Sequence, residues 1–193
     1  LALEGITIID ISQGVPGPLS SMMLGDLGAE VTKVEPPSGD WLRAVEPFTN
    51  GESDLFIRLN RNKKGVCINL KEPAGQDIVQ RLVKGADVLI EGYTTGVAQR
   101  LGLAYDDLSK HNRGLIYCSI SGYGSQGPLA DTPATEFDLQ TFVGKFRHLG
   151  TPVDPPLRVG FDIISSNAAW AACQGIIAAL YSRELTGEGQ RVE

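Results

Sequence analysis

The sequence predicts an open, doubly wound α/β domain on parallel strands with helices on both faces. Two observations predict it. Five short β-branched runs alternate with segments of helical periodicity, and Gly, Pro or polar turns punctuate the junctions. Strands separated by helices pair in parallel through right-handed crossovers, and ligands then collect beyond the strands' carboxyl ends.

Residues 6–10 read as the first strand, and the Gly14 to Pro18 stretch breaks it. Gly17 suits a helix cap and Pro18 the first helical turn, where its missing N–H costs nothing. Leu19, Met22, Met23 and Leu27 follow at helical spacing, and Gly28 ends that helix in the left-handed conformation. Residues 29–35 form the second strand, stopped by Pro36 and Pro37, and residues 41–51 read as a surface loop. A third strand over 65–70 leads into a helix over 72–84, with Ile78, Leu82 and Val83 facing inward and Gly85 closing it. The fourth strand is 87–91, short helices follow over 97–101 and 105–111, and the fifth strand is 115–120. A loop rich in Gly, Pro and Ser runs over 121–133, and 138–143 fits either helix or strand. Residues 163–184 read as a long helix whose small residues (Ala168, Ala169, Ala171, Ala172, Gly175, Ala178, Ala179) permit close packing. Residues 191–193 start a further strand where the sequence stops, so the chain is expected to be part of a longer one.

The 193 residues carry 17 Lys and Arg against 23 Asp and Glu, a formal charge of −6. That acidic balance argues against nucleic acid or an anionic membrane as the main partner. With 42% hydrophobic and 21% charged residues, one packed domain is expected rather than disorder. No apolar run is expected to reach the ~18–20 residues of a membrane span. The opening LALEGITIID has no basic stretch or cleavage site, so no signal peptide and a cytoplasmic location are expected. Cys67, Cys118 and Cys173 sit far apart in apolar surroundings and are expected to be reduced and buried. No CxxC occurs and His111 and His148 are isolated, so no metal site is expected.

Two segments and a scatter of single residues are candidates for chemistry. The loop from Gln13 to Pro18 follows a strand and precedes a helix, so it is either a ligand-facing anion site or a plain turn. It is neither a GxGxxG fingerprint nor a P-loop, which argues against NAD. Arg58, Arg61, Lys63 and Lys64 gather four cations in seven residues, as a phosphate site or a solvated loop. Asp10, Glu136, Asp138 and Asp162 are the candidate carboxylates, with Asp10 equally suited to capping a turn. Ser165 and Ser166 read as the start of a helix, since a serine nucleophile has no evident His or Lys partner.

Taken together, five blocks resemble the family III CoA-transferases, the group with formyl-CoA transferase, carnitine CoA-transferase and α-methylacyl-CoA racemase. The blocks are IIDIS with Gly17-Pro18 and LGDLGAEVTKVEPP, LNRNKK, DVLIE with Gly96-Val97 and Arg100-Leu-Gly102, LIYCSISGYG with Gly127-Pro128, and GIIAAL followed by TGEGQRV. The resemblance implies a Rossmann-like CoA-binding large domain spanning 1–193. It also implies a small second domain and a returning segment outside this sequence, and two chains interlocked as a dimer. CoA and its thioesters are implied as substrates together with carboxylic acids, with no permanently bound cofactor. Contacts to CoA are implied for Gln13, Gly14, Val15, Leu59, Arg61, Lys63, Lys64, Gly92, Tyr93 and Arg100.

In such enzymes an aspartate before the small-residue helix attacks the acyl thioester, forms a mixed anhydride and then carries CoA as an enzyme thioester. In the racemase branch it is an acid/base instead. The family pattern G-x-P-x-x-D falls here on Gly160-Phe-Asp-Ile-Ile-Ser165, so Ser165 stands at the aspartate position and Asp162 where proline is common. A serine supplies no carboxylate for an anhydride. Asp162 is the fallback, at the cost of a turn shifted by three residues. Gly92 replaces the amide that usually follows Glu91, while Glu136 and Gln140 keep the family's acid and glutamine. The expectation is therefore a CoA-binding chain that is either part of an active transferase, through Asp162 or a group outside this sequence, or a catalytically silent half of a fused or heteromeric enzyme, with a racemase-type relative as a further alternative.

Overall fold

The computed structural model describes residues 1–148, 153, 155, 160 and 162–193. In chain order the elements are β1 (Thr7–Asp10), α1 (Pro16–Asp26), β2 (Glu30–Glu35), a 3-10 turn (Trp41–Ala44), the hairpin β3 (Phe48–Thr49) and β4 (Glu52–Ser53), and α2 (Asp54–Leu59). Then come β5 (Lys63–Cys67), α3 (Pro73–Lys84), β6 (Val88–Glu91), α4 (Val97–Arg100), α5 (Tyr105–Leu108) and β7 (Ile116–Ser119). The chain closes with α6 (Glu136–Phe142), a 3-10 turn (Lys145–His148), α7 (Ile163–Thr186) and β8 (Arg191–Val192).

Six strands make one sheet in the order β5-β2-β1-β6-β7-β8, every neighbouring pair parallel. The order starts at the centre, runs out to one edge, returns and runs to the other, which is the doubly wound arrangement. The direction reverses between β1 and β6, paired Ile8 to Val88 and Asp10 to Ile90. The central strands are apolar on both sides because helices cover both faces. Ile8, Val31, Val88, Ile90 and Ile116 pack with Leu24 of α1 and Ala172, Ile176 and Leu180 of α7. Ile9, Val34, Leu89 and Tyr117 face the other way, onto Val79 and Val83 of α3 and onto Leu103 and Leu108.

Helix α7 lies against the sheet because Ala169, Ala172, Cys173, Ile176, Ala179 and Leu180 recur at helical spacing and are buried. Its closest approach needs a glycine: a Cβ on Gly175 would stand 2.7 Å from Val192 Cγ1 of β8. The further strand read at 191–193 is β8, the sixth of the sheet, lying beside β7.

Several expectations are corrected. Helix α1 begins at Pro16 with Val15 before it, so Gly17 lies inside the first turn rather than capping it. Residues 41–51 hold a 3-10 turn and a hairpin strand, ordered by buried Leu42 and by Asp40, whose side chain accepts from Leu42 N. In α3 the buried residues are Gly75, Val79 and Val83, whereas Ile78 and Leu82 are 39% and 37% exposed. The helix is rotated so that the i, i+4 row centred on Val79 meets the sheet. Cys67 is exposed, because β5 is an edge strand, while Cys118 and Cys173 are buried. The helical reading wins for 138–143, in α6. Helix α7, at 24 residues with a mean hydropathy of 1.4 in its most apolar window, is long and apolar enough to cross a membrane by length and composition, contrary to expectation.

Candidate functional site

The reversal of strand order leaves a crevice at the carboxyl ends of β1 and β6, where the helix-bound loops diverge. Strand β1 ends on Asp10, which is fully buried. It accepts from the Ser12 N–H and hydroxyl, from Ser21 Oγ at 2.6 Å and from Lys63 Nζ at 3.2 Å. Burial alone would raise its carboxyl, but Lys33, Lys63 and the two hydroxyls outweigh that and bring it from 3.8 to about 2. Lys63 is pushed down to about 8 by its own burial, against the pull of Asp10.

A second buried pair lies beside the first. Lys33 Nζ is 3.0 Å from Asp40 Oδ2 and donates to the Ser12 carbonyl at 2.7 Å, with both side chains almost wholly out of solvent. Asp40 also accepts from Gly14 N at 3.2 Å. Gly14 has φ +78°, and a Cβ there would stand 2.5 Å from the Trp41 ring. Lys33 and Asp40 therefore fix the turn that carries Gln13, Gly14 and Val15 over the crevice.

The crevice is a cavity of about 400 Å³. Its walls come from Gln13 and Val15 after β1, Gly92 and Thr94 after β6, Ile120 and Ser121 after β7, Glu136 and Leu139 of α6, and Asp162, Ile164, Ser165 and Ala168 at the start of α7. Trp41 closes one side.

Glu136 organises the helix end of this cavity. Its Oε1 accepts from Gln140 Nε2 at 2.8 Å and Ile164 N at 2.9 Å, and its Oε2 from Ser165 N at 2.9 Å and Ser165 Oγ at 2.7 Å. The free N–H groups of α7's first turn and the positive end of its dipole favour a carboxylate there. Burial works against the charge, but these four donors prevail and hold Glu136 below the usual carboxylate range. The carboxylate is thus spent as a cap, and the Ser165 hydroxyl is a donor already committed to it.

The structure brings Gln13, Val15, Gly92, Glu136, Asp162 and Ser165 to one cavity, with Gly14 behind its first loop. The other residues implied for CoA lie elsewhere. Leu59 packs in a small core with Val15, Leu42 and Phe56. Arg61 is paired with Asp26, and Lys64 with Glu30 at 3.0 Å. Lys63 turns inward and gives its three protons to Asp10, the Pro18 carbonyl at 2.9 Å and Asn60 Oδ1 at 2.8 Å, which leaves none for a phosphate. Residues 58–64 are thus not one loop: they end α2 and open β5. Tyr93 packs on the core beneath α3, its phenol pushed up to about 12 by burial and by Glu91. Arg100 ends α4 in an exposed position. Sequence reading missed Lys33, Asp40, Trp41 and Ser121. Asp40, Trp41 and Ser121 carried one signal, their place in loops after a strand's carboxyl end, and Lys33 lay within the first family block. Among the described residues no group of three or more His, Cys, Asp or Glu could hold a metal ion.

The switch point of a doubly wound sheet is where such folds commonly take small ligands. A model of CoA-transferase family III matches residues 3–193, and the chain belongs to that family. It is 39% identical over 193 residues to the acetyl-CoA:oxalate CoA-transferase of Acetobacter aceti, covering 98% of this chain and 49% of that one. It is 39% identical over 189 residues to the succinyl-CoA:glutarate CoA-transferase of Mus musculus, covering 97% of this chain and 43% of that one. Among solved structures, a CaiB/BaiF family protein from Brucella suis superposes with a TM-score of 0.93 at 33% identity, covering 98% of this chain and 51% of that one. The chain spans about half the length of the relatives it matches.

Proposed function

We propose that this chain is the acyl-CoA-binding half of a protein that moves CoA between carboxylic acids, and that its own centre is catalytically silent. The observation that carries this reading is Ser165. It stands at the position the family pattern gives to the nucleophilic aspartate, lines the switch-point cavity and donates its hydroxyl to Glu136. A hydroxyl attacking a thioester yields an ester, not the anhydride that CoA could reopen, and Glu136 is a weak base while four donors stabilise its charge. On this reading a carboxylate from another chain or domain performs the transfer.

The remainder of the protein would comprise a small domain and a returning segment, assembled as a dimer or heteromer in the cytoplasm. The outward face of α7 supports a covering partner, since Trp170, Tyr181 and Leu185 are 58%, 69% and 72% exposed. A second reading has one observation in its favour: Asp162 lines the same cavity, immediately before α7. There it would serve as the nucleophile in place of Ser165.

The test is exchange of labelled acetate into acetyl-CoA by the full-length protein. A Ser165→Asp variant that gains exchange supports the silent-half reading. Exchange already present and abolished by Asp162→Asn would replace it with the second.

A further inference from the structure

Among the described residues, the ionisable side chains that line the switch-point cavity are two carboxyls, Glu136 and Asp162, and no Lys, Arg or His joins them. The buried cations of the domain are committed elsewhere. Lys33 holds Asp40 and the Ser12 carbonyl, and Lys63 holds Asp10, the Pro18 carbonyl and Asn60. The first turn of α7 would be the natural seat for an incoming anion. Glu136 already fills it, taking Ile164 N, Ser165 N and the Ser165 hydroxyl. A ligand carboxylate entering here would lose its water beside like charge, with no cation to pair with. Apolar side chains supply much of the remaining wall. Ile120, Leu139 and Ile164 are half-buried and Trp41 is exposed, so all four keep accessible surface. The Trp41 turn is well anchored: its neighbours Asp40 and Leu42 are both buried, and its ring covers Gly14, where a Cβ would collide with it.

We infer that this cavity takes the CoA thioester of an uncharged, apolar acyl group, that of a monocarboxylic acid, and discriminates against the thioester of a dicarboxylic acid. The inference rests on the acyl-CoA reading above and adds the class of acyl group. Two features produce the discrimination. Glu136 and Asp162 place carboxyls where a second ligand carboxylate would need a cation, and Trp41 with the aliphatic residues offers surface that only an apolar chain can cover without losing hydration. Trp41 is the specificity-determining residue of this wall, because it combines the largest apolar surface with a fixed seat.

The test is calorimetric titration of the full-length protein with CoA, butyryl-CoA and succinyl-CoA. The two thioesters share a four-carbon acyl length and differ by one terminal carboxylate. Butyryl-CoA is expected to bind at least about 10-fold more tightly than succinyl-CoA, because the extra charge meets Glu136 without a partner. Trp41→Arg puts a cation on the apolar wall and should narrow or reverse that ratio, whereas Trp41→Phe keeps an aromatic wall and should retain it. Equal affinities for the two thioesters, or a preference for succinyl-CoA, overturn the inference alone. So does a butyryl-CoA preference that Trp41→Arg leaves unchanged, which places the discrimination outside this cavity. A wild-type protein that binds none of the three compounds overturns the acyl-CoA reading and this inference with it.

Discussion

The Ser165 hydroxyl reaches Glu136 Oε2 across 2.7 Å, and the Ser165 N–H meets the same oxygen at 2.9 Å. One carboxylate from α6 thereby caps α7 and engages the Ser165 side chain. Position 165 lies at the third residue of a helix, where backbone N–H groups gather around whatever charge is present. Here that charge comes from Glu136 of the neighbouring helix α6.

Removing that cap should loosen the helix. Glu136→Ala is expected to destabilise the protein by about 1–2 kcal/mol, the usual effect of losing a helix cap, with Glu136→Gln intermediate because an amide oxygen still accepts. Urea unfolding monitored by circular dichroism reads it. An unchanged midpoint for Glu136→Ala would show that the contacts to α7 contribute nothing to stability.

Lys33 is the second lever. Truncating it to Met leaves Asp40 buried without its cation and the Ser12 carbonyl without a donor, a loss of about 3–5 kcal/mol. A Lys33→Met, Asp40→Leu double variant should recover part of that loss, because no charge is left stranded. If the two single losses simply add, the pair is not coupled.

Asp10 makes a pH prediction. Its folded value, about 2, lies below its ordinary 3.8, so the native state binds the proton less readily than the unfolded chain. Its contribution is full above the unfolded value and disappears as pH falls through the folded one, about 2 kcal/mol in all. Unfolding free energy should thus fall more steeply between pH 4 and pH 2 in the wild type than in Asp10→Asn. Parallel pH profiles would remove Asp10 as the source.

The phase of α3 can be read by substitution. Val79 is fully buried and Ile78 is not, so Val79→Ala should cost about 2 kcal/mol and Ile78→Ala less than half of that. Equal losses in chemical denaturation would restore the inward orientation that periodicity assigned to Ile78.

Much of the fold was legible because its signals are local. Short β-branched runs between Gly and Pro breaks define the strands, and alternation with helices dictates parallel pairing. The five sequence blocks carried the family, and the family pattern, counted back from Gly175, is what implied Ser165 for the aspartate position. What sequence could not carry was the fate of each charge. Lys63 and Lys64 are adjacent in a basic run, yet pleating turns one inward to Asp10 and the other outward to Glu30. A solvated cation and a buried one are written with the same letter, and only the partner brought by a distant strand distinguishes them. The same holds for Val79 against Ile78, where the covering surface set the helix's rotation. Sequence by itself determined the strand–helix order and the family. Tertiary structure decided which polar groups meet around the cavity, because hydrogen bonding and burial depend on neighbours far apart along the chain.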